Sequence, residues 1–341
     1  MAEFLYLDQE SVLAADVLDM RRAINVVREA QARFAKGEVR EPNKIVLRNA
    51  NNSQSEQQGR FNGLAASIGT PVRTAIGMKW IASFPANRQL GKPRASALII
   101  LNCPQTGLPL AVMEGGLISA MRTGAMTGLG VRYLAPRQTR KIGIVGAGLQ
   151  SRTQILGLYT ELPNVEEIVL FGRQISSAQA VADDCLRRWG ALVRVARTIE
   201  DALHDADVAL TVTTAQQPLI RAQHIKPGAL TIQLAGHECE FEVIQQCEKI
   251  VTDEWETVKQ RGIMTPAIMH QQGLLRDEDI HANLGELILG TKIGRESDER
   301  IHYCHMGMGV NDVALAWAIY ETARARNLGI SLPLWKESLW V

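Results

Sequence analysis

The sequence predicts an α/β protein in which a doubly wound parallel sheet is inserted into a second, α+β domain. From residue 116 onward, strand-like and helix-like segments alternate at the spacing of βα units. The preceding residues contain strands joined by short turns, which is typical of an antiparallel or mixed sheet, and one more amphipathic helix follows the alternating part. We therefore predict one domain from residues 1–115 plus 308–341 and another from residues 116–307.

The composition is ordinary for a soluble globular protein. The 341 residues, 46% hydrophobic and 21% charged, suffice for two domains. A formal net charge of +1 leaves no basic excess for binding nucleic acid. No apolar run approaches the roughly 18 residues of a membrane span, and the first residues lack the basic start of a signal peptide. We expect neither a membrane nor a nucleic-acid partner.

Several elements are predicted in the first domain. "FLYLDQESV" is predicted as a strand, and the segment 15–37 as a helix that ends at Gly37. The polar segment 51–63 is predicted as a loop, and residues 94–115 as a hairpin around "PQTG". Residues 44–48 and 73–84 have strand composition. The helix places one apolar stripe on the core: Val17, Met20, Ile24, Val27 and Ala30.

The second domain begins with a helix from Gly116 that ends before Pro136. Strands and helices then alternate as "KIGIVGAG", "QSRTQILGLYTEL", "VEEIVLFGR", "SSAQAVADDCLRRWG", "LVRVAR", "TIEDALHDA" and "DVALTVTT". Two further strands, "GALTIQLAG" and "KIVTDE", extend the sheet. Because that sheet is then complete, we expect the last helix, "NDVALAWAIYETARARNLG", to return to the first domain.

The turn after "KIGIV" carries a dinucleotide-binding pattern. Gly146 permits the tight turn, and Gly148 lets the backbone approach a pyrophosphate at the helix N-terminus. Position 151 is serine instead of the usual glycine or alanine. The alternative is a glycine-rich turn that binds no nucleotide, but the strand before it and the helix after it favour NAD or NADP.

The end of the next strand bears on the choice of cofactor. It reads "LFGRQISS", so Arg173 stands where an NAD enzyme would have a carboxylate for the ribose. Arg173 with Ser176 and Ser177 favours the 2′-phosphate of NADP over NAD, unless Arg173 is a solvated surface residue. After the fourth strand, Thr213 and Thr214 are predicted near the nicotinamide ribose.

Basic residues in apolar segments of the first domain predict an anionic substrate. Lys79 lies within "AIGMKWIASF" and Arg122 within "ISAMRTGAM", while Arg48 closes one strand and Arg94 precedes another. Buried cations are costly unless they are paired or face a cleft. Either they hold a carboxylate, or each reaches solvent or pairs with an acid such as Glu114 or Glu56.

The chain resembles the ornithine cyclodeaminase/μ-crystallin family over nearly its whole length. The segments "VLDMRRAI", "MKW", "TGLPLAVMEGGLISAMRTGA", "VGAGLQSR", "TVTT" and "MGMGVNDVALA" carry the resemblance. Within the family, residues 77–102 look most like the N-(2-amino-2-carboxyethyl)-glutamate dehydrogenases of diaminopropionate biosynthesis. The resemblance implies a Rossmann-type doubly wound parallel sheet inserted in a substrate-binding and dimerisation domain, whose residues face the nicotinamide.

The resemblance also implies roles for individual residues. Those that match the family's substrate and catalytic positions are Arg48, Lys79 and Arg122, and those that match its cofactor segments are Gly146, Gly148, Leu149, Gln150, Met306 and Gly307. The sequence departs from the family where cyclodeaminases have an aspartate: it has His237, followed by Glu238 and Glu240. Imidazole can move protons near neutral pH, so His237 and Glu238 are catalytic candidates, unless His237 merely ends a strand.

Two other features favour structural interpretations. "HYCHMGMG" places His302, Cys304 and His305 close together, but a zinc site needs three or four ligands and usually a second cluster, so we predict no metal. Met306 and Met308 are interpreted as packing residues. The cysteines are odd in number and form no CxxC pair, which favours reduced thiols in a cytoplasm.

These features together predict a cytoplasmic, homodimeric NAD(P)-dependent oxidoreductase that acts at the α-carbon of an amino acid or its imine. Three alternatives stay open. A ketimine reductase would use the same site in the reducing direction, an ornithine or lysine cyclodeaminase would use NAD catalytically, and a crystallin-type carrier would bind NADP without turnover. The absence of the family's aspartate argues against a cyclodeaminase, and the presence of the basic residues argues against a carrier.

Overall fold

The computed structural model describes residues 2–48, 59–69, 74–215 and 217–340. The chain divides into two compact units, here called unit 1 (residues 1–122 and 308–341) and unit 2 (residues 123–307). The division falls within one helix, between Arg122 and Thr123, and again between Gly307 and Met308.

Unit 1 is built on an eight-stranded mixed sheet. The strand order is β16-β1-β7-β6-β5-β4-β2, with β3 also pairing with β4. Strands β1 and β7 are parallel, and the other neighbours are antiparallel. The bounds are β1 Ala2–Leu7, β2 Val39–Arg40, β3 Ile45–Leu47, β4 Arg60–Gly69, β5 Thr74–Ser83, β6 Ala95–Asn102, β7 Pro109–Glu114 and β16 Ile330–Trp335.

Three helices pack on this sheet or on one another within unit 1. They are α1 (Gln9–Ala14), α2 (Met20–Ala35) and α11 (Gly309–Ala325). Helix α11 packs on β4, β5 and β6 and against α2. The Glu41 carboxylate accepts hydrogen bonds from the Gly309 and Val310 amides, at 2.6 and 2.9 Å, and so caps the first turn of α11. A fourth helix, α3 (Gly116–Leu134), begins in unit 1 and continues into unit 2.

Unit 2 contains a second eight-stranded sheet, in which all neighbours are parallel. Its order is β10-β9-β8-β11-β12-β15-β13-β14. Counted along the chain, the first five strands follow the order 3-2-1-4-5 of doubly wound dinucleotide-binding sheets. The strands are β8 Lys141–Val145, β9 Glu167–Phe171, β10 Arg194–Ala196, β11 Val208–Thr211, β12 Leu230–Gln233, β13 Lys249–Thr252, β14 Ala282–Asn283 and β15 Ile301–Cys304.

The connections of unit 2 are mostly helical, as a parallel sheet requires. The helices are α4 Leu149–Glu161, α5 Ile175–Trp189, α6 Ile199–Leu203, α7 Phe241–Gln245, α8 Trp255–Arg261, α9 Thr265–Gln271 and α10 Leu284–Leu289. The strand order reverses between β8 and β11, which are neighbours. Ligands of such sheets bind at the carboxyl ends of strands at this reversal, so the loops after β8 and β11 become the candidate cofactor site.

The predicted fold class is confirmed, and so are its β8–β13 strands and the β6–β7 hairpin. Met20, Ile24, Val27 and Ala30 form the predicted buried stripe of α2, and Val17 is buried but precedes the helix. Three expectations were wrong in detail. The helix predicted over residues 15–37 begins only at Met20, because Asp19 caps it by accepting from the Arg22 amide. "FLYLDQESV" is a strand only to Leu7, because Asp8 caps a new helix by accepting from the Ser11 amide. Residues 60–63 belong to β4, whereas residues 49–58 lie outside the described chain.

Some elements of the structure have no counterpart in the predictions. These are β2, β4, β14, β15, β16, α1 and the short helices α7 to α10. Apart from the ten-residue β4 they are short, and only tertiary packing selects such segments from several local possibilities. All five cysteines are free, and no helix among the described residues is long and apolar enough to cross a membrane.

Candidate active site

A buried ion cluster joins three elements of unit 1. The Lys79 ammonium of β5 lies 2.6 Å from Oδ2 of Asp312 in α11 and 3.0 Å from Oγ of Ser119 in α3. Nε of Arg122, also in α3, donates to Oδ1 of Asp312 at 3.0 Å. All four residues are buried, and the Lys79 residue is 1% exposed. Two cations therefore share the Asp312 carboxylate, and the Glu41 carboxylate also acts electrostatically on Lys79.

The cluster perturbs the pKa values of its members. Burial lowers the pKa of Lys79 to about 8, because desolvation disfavours the ammonium; Asp312 opposes this change and Arg122 adds to it. Burial also acts to raise the pKa of Asp312, but the charges of Arg122 and Lys79 outweigh burial, so that this pKa lies below its usual value. Lys79 can therefore exchange a proton near neutral pH while Asp312 stays ionised.

Arg122 retains hydrogen-bonding capacity inside the cluster. Its Nη1 is buried and has no hydrogen-bond partner among the described residues. A buried guanidinium N–H without an acceptor is costly, so this atom marks a place for an anionic ligand. The acid that pairs with the two cations is Asp312, which was not predicted. Glu114 instead caps α3 through the Gly116 and Leu117 amides, and Glu56 lies outside the described residues.

The two other arginines predicted to bind substrate lie near strand ends of unit 1. Arg48 directly follows β3 and is half-buried. Arg94 directly precedes β6, and its carbonyl accepts from the Phe84 amide at 2.7 Å. This pairing places Arg94 beside the end of β5 and several residues from Lys79. Their roles in substrate binding remain predictions.

The loop between β8 and α4 in unit 2 fits a dinucleotide. Gly146 has a φ of +122°, and a Cβ there would lie 2.4 Å from the Val212 carbonyl oxygen. A Cβ on Gly148 would have no heavy atom within 4 Å, so the loop leaves an open cradle in front of the helix N-terminus. Ser151, at the third glycine position, donates from Oγ to the Gly146 carbonyl at 2.5 Å and accepts from the Gly148 amide at 2.9 Å. These bonds hold the loop in shape.

The other predicted cofactor residues surround the same strand ends. Leu149 is exposed and Gln150 half-buried in the first turn of α4, and Arg173 is exposed two residues after β9. Of the two predicted serines beyond Arg173, Ser176 is exposed and Ser177 is half-buried. No carboxylate occupies the turn after β9, so a 2′-phosphate would meet only a basic group and hydroxyls there.

Glu238 supports the loop that follows β11. Its carboxylate is fully buried and accepts from the Thr213 amide at 2.8 Å, the Thr213 hydroxyl at 2.5 Å, the Thr211 hydroxyl at 3.0 Å and the Ala235 amide at 3.2 Å. Burial raises the pKa of Glu238, and the bonds from Thr213 oppose that rise. With both oxygens engaged, Glu238 holds Thr213 in place; Thr214 follows as an exposed residue.

His237 is half-buried just beyond β12, with its ring 5.3 Å from the Phe241 ring. Its Nε2 is buried and has no hydrogen-bond partner in the described part of the chain. Burial lowers the pKa of His237, so its imidazole is neutral at physiological pH and can accept a proton. His237 therefore suits the role of a base better than Glu238, because both carboxylate oxygens of Glu238 already accept hydrogen bonds.

Asp253 holds the segment predicted to lie beside the nicotinamide. Its Oδ2 accepts from the amides of Met306 and Gly307, at 2.9 and 2.8 Å. Burial raises the pKa of Asp253 to about 6, and the two amide bonds oppose that rise. Sequence reasoning missed Asp253 because nothing local distinguishes it from the neighbouring acid Glu254.

The residues considered for a metal lie in β15 or directly after it. His302 is fully buried in β15, and burial lowers its pKa to about 3. His305 lies 2.9 Å from the Thr127 hydroxyl, which also bonds Gln154. Within the described ranges, no group of three or more histidine, cysteine or acidic side chains is arranged to hold a metal ion.

Comparison with known proteins assigns the chain to a family. The family model described as "Ornithine cyclodeaminase/mu-crystallin family" matches residues 7–327. N-((2S)-2-amino-2-carboxyethyl)-L-glutamate dehydrogenase of Staphylococcus aureus is 29% identical over 344 residues, which cover 98% of this chain and 99% of that protein.

Two solved structures are similar over almost the whole chain. Thermococcus litoralis Δ1-pyrroline-2-carboxylate reductase, in complex with NADH and L-proline, has a TM-score of 0.88 at 27% identity and covers 96% of this chain and 99% of its own. An archaeal alanine dehydrogenase dimer with bound NAD has a TM-score of 0.87 at 30% identity, covering 98% and 100%. The chain belongs to the ornithine cyclodeaminase/μ-crystallin family, as its sequence predicted.

Proposed function

We propose that this chain is an NAD(P)-dependent oxidoreductase that interconverts the amine and the imine at the α-carbon of an amino acid. N-(2-amino-2-carboxyethyl)-glutamate is our first candidate substrate. The family and the amino-acid dehydrogenases and imine reductase similar to this chain support the reaction class. The observation that carries the proposal is the buried Lys79–Asp312–Arg122 cluster, in which Arg122 keeps a buried donor without a partner.

In this proposal the cluster binds and orients the substrate. Nη1 of Arg122 donates to the substrate carboxylate, and the charge of the guanidinium attracts that carboxylate. Fixing the carboxylate also fixes the α-carbon, which supplies the proximity on which such reactions depend. Arg48 and Arg94 would add positive charge near the strand ends of the same unit.

Lys79 moves the proton of the substrate nitrogen. With a pKa of about 8 it changes protonation within reach of neutral pH, and Asp312 and Ser119 hold its ammonium form in one position. His237 is neutral near pH 7, and its Nε2 has no hydrogen-bond partner in the described chain. We therefore assign to His237 the role of placing the water that hydrolyses the imine. Glu238 is assigned a positioning role through Thr213, since it has no free oxygen.

The cofactor would be held by Gly146, Gly148 and the first turn of α4, with Arg173 at the adenosine ribose. When bound, nicotinamide supplies or accepts the hydride, so the protein needs to provide only binding, orientation and proton transfer. The exposed Arg173 and the absence of a carboxylate after β9 favour NADP over NAD. A homodimer, as in the alanine dehydrogenase structure, is part of the proposal.

The decisive test mixes the purified protein with NAD⁺ or NADP⁺ and amino acids that include N-(2-amino-2-carboxyethyl)-glutamate, alanine, proline and ornithine. Reduced nicotinamide should form in proportion to the amino acid consumed. The reverse reaction is tested with cyclic ketimines and NADPH. Loss of ornithine without net reduced cofactor would identify a cyclodeaminase instead, and no change in either direction would overturn the proposal.

Replacing Gly148 by alanine should weaken cofactor binding without unfolding the protein. Its φ is −100°, and a Cβ would meet no atom within 4 Å, so the fold accepts alanine. The methyl group would fill the cradle, and we expect the cofactor Kd to rise about tenfold or more, equivalent to ~1.4 kcal/mol. Gly146→Ala is the contrast, because strain at φ +122° should lower Tm as well. Equal cofactor affinity in Gly148→Ala and wild type would show that this loop does not bind the cofactor.

Replacing Arg173 by alanine should raise the KM for NADP⁺ and leave that for NAD⁺ nearly unchanged. A hydrogen-bonded charge pair contributes about 1.5–3 kcal/mol, so the loss should be roughly tenfold or more. The measurement is initial rate against each cofactor at fixed substrate. Arg188→Ala, another exposed arginine of the same βα unit, serves as the control. A parallel change in both cofactors would contradict a 2′-phosphate contact.

A further inference from the structure

The helix that carries Asp312 is capped from outside by Glu41. Helix α11 begins at Gly309, and among the described residues the side chain of its N-cap residue, Met308, makes no capping hydrogen bond. The first N–H groups of a helix have no partner within the helix. Glu41, which lies between β2 and β3, supplies the acceptors: Oε1 accepts from the Gly309 amide at 2.6 Å and Oε2 from the Val310 amide at 2.9 Å. The start of α11 therefore depends on a residue 268 positions earlier in the chain.

This cap helps to fix the position of Asp312. One turn of an α-helix spans about 3.6 residues, so Gly309 and Asp312 belong to the first turn of α11. The same turn also rests on β4, where a Cβ on Gly309 would lie 3.1 Å from the Ala65 carbonyl oxygen. Both β4 and Glu41 thus hold the turn. A displacement of the turn would move Asp312 relative to Lys79, whose ammonium lies 2.6 Å from its carboxylate.

Glu41 also places a second negative charge near Lys79. The groups that act on the Lys79 ammonium are Asp312 of α11, Arg122 and Ser119 of α3, and Glu41 of the segment between β2 and β3. The cross-strand neighbours of Lys79, Leu64 and Ile99, are apolar. Burial lowers the pKa of Lys79 to about 8 and Arg122 adds to this change, whereas Asp312 and Glu41 oppose it. Removal of the Glu41 charge should therefore lower this pKa further.

We propose that Glu41 is a positioning residue of the amine–imine reaction, which fixes Asp312 by capping α11 and adds a second negative charge to the Lys79 cluster. The inference rests on the proposed function, in which Lys79 moves the proton of the substrate nitrogen. Glu41 touches neither the substrate nor the cofactor in this proposal, and it acts through Asp312 and Lys79.

The first test exchanges two matched carboxylates for amides. Glu41→Gln keeps the side-chain size but removes the charge, and the amide nitrogen cannot accept from one of the two N–H groups of α11. Asp19→Asn is the control, because Asp19 is an exposed carboxylate that caps α2 of the same unit by accepting from the Arg22 amide at 2.9 Å. In Glu41→Gln, the rise of kcat/KM should move to a pH below about 8, and its high-pH plateau should fall about tenfold or more. Asp19→Asn should leave both at their wild-type values.

A direct titration of Lys79 separates failure of this inference from failure of the proposed function. NMR of the protein labelled at Cε of its lysines follows each ammonium group with pH and needs neither substrate nor cofactor. Lys79→Met identifies the Lys79 signal. The pKa of Lys79 should be lower in Glu41→Gln than in wild type and unchanged in Asp19→Asn, and this result would support the inference even if no amino acid were oxidised. An unchanged pKa in Glu41→Gln would overturn it.

Glu41→Asp separates the charge from the reach of the side chain. It keeps the carboxylate but shortens the side chain by one methylene group, so the bonds to the Gly309 and Val310 amides should lengthen. The pKa of Lys79 should stay closer to that of wild type than in Glu41→Gln, whereas the plateau of kcat/KM should fall. If Glu41→Gln does not fold, Glu41→Asp decides the matter: a plateau of wild-type height would show that the cap does not position Asp312.

Discussion

Lys79→Met should lower kcat/KM by about 10²–10⁴-fold, the range for a lost general acid or base. Methionine fills a similar volume, and Asp312 keeps its bond from Nε of Arg122, so the buried pair that remains is neutral. The cofactor Kd should be unchanged, because the residues proposed to hold the cofactor belong to unit 2. Single-turnover rates with saturating cofactor, together with a nicotinamide fluorescence titration, measure the two effects separately.

The pH profile adds an independent check on Lys79. Burial lowers its pKa to about 8, and amine oxidation requires its neutral form as the base. In the wild type, kcat/KM should therefore rise with pH through about 8, and Lys79→Met should lose this step.

Lys249→Met is the matched control for loss of a buried lysine. Lys249 is 8% exposed and pairs with Glu296 and Glu299 at 2.7 and 2.8 Å. Its replacement should lower Tm but leave the kcat/KM of the folded enzyme close to wild type. Full turnover by Lys79→Met with normal substrate binding would show that Lys79 does not move the proton of the substrate nitrogen.

Asp312→Asn should affect both stability and catalysis. It removes the acid from a buried group of two cations, and breaking a buried pair in this way costs about 3–5 kcal/mol. Because Asp312 acts to raise the pKa of Lys79, its loss should lower that pKa further, and the rise of kcat/KM should move to lower pH. Thermal unfolding and a pH–rate profile measure the two effects.

The double variant Lys79→Met/Asp312→Asn tests the coupling directly. Removing Lys79 as well takes away one of the two cations that have lost the Asp312 carboxylate, so the double variant should be more stable than Asp312→Asn alone. Additive losses of stability would mean that the two side chains do not act as a pair. An unshifted pH profile in Asp312→Asn would show that Asp312 does not set the proton affinity of Lys79.

Much of unit 2 was predictable because its signals are local. The strand "KIGIV", the glycines after it and the alternation of strands and helices each lie within a few residues, and a parallel sheet imposes that rhythm on the chain. The burial of Lys79 and Arg122 also agrees with the sequence, since a charge within an apolar segment is rare without a partner or ligand, whereas their chemical roles stay predictions. Apart from β4, the segments that were missed are short, and their local preferences are weak.

The amino-acid sequence was sufficient to predict the fold class, the family and the glycine-rich loop that is the candidate cofactor site. Tertiary structure alone decided which acid meets which base: Asp312 bonds Arg122 and Lys79 across 190 and 233 residues of sequence. The tertiary structure also gives both carboxylate oxygens of Glu238 a hydrogen-bond donor, whereas Oδ1 of Asn62 has no hydrogen-bond partner in the described chain. Local propensity acts over a few residues, whereas the partners of a buried polar group depend on which distant segments the core brings together.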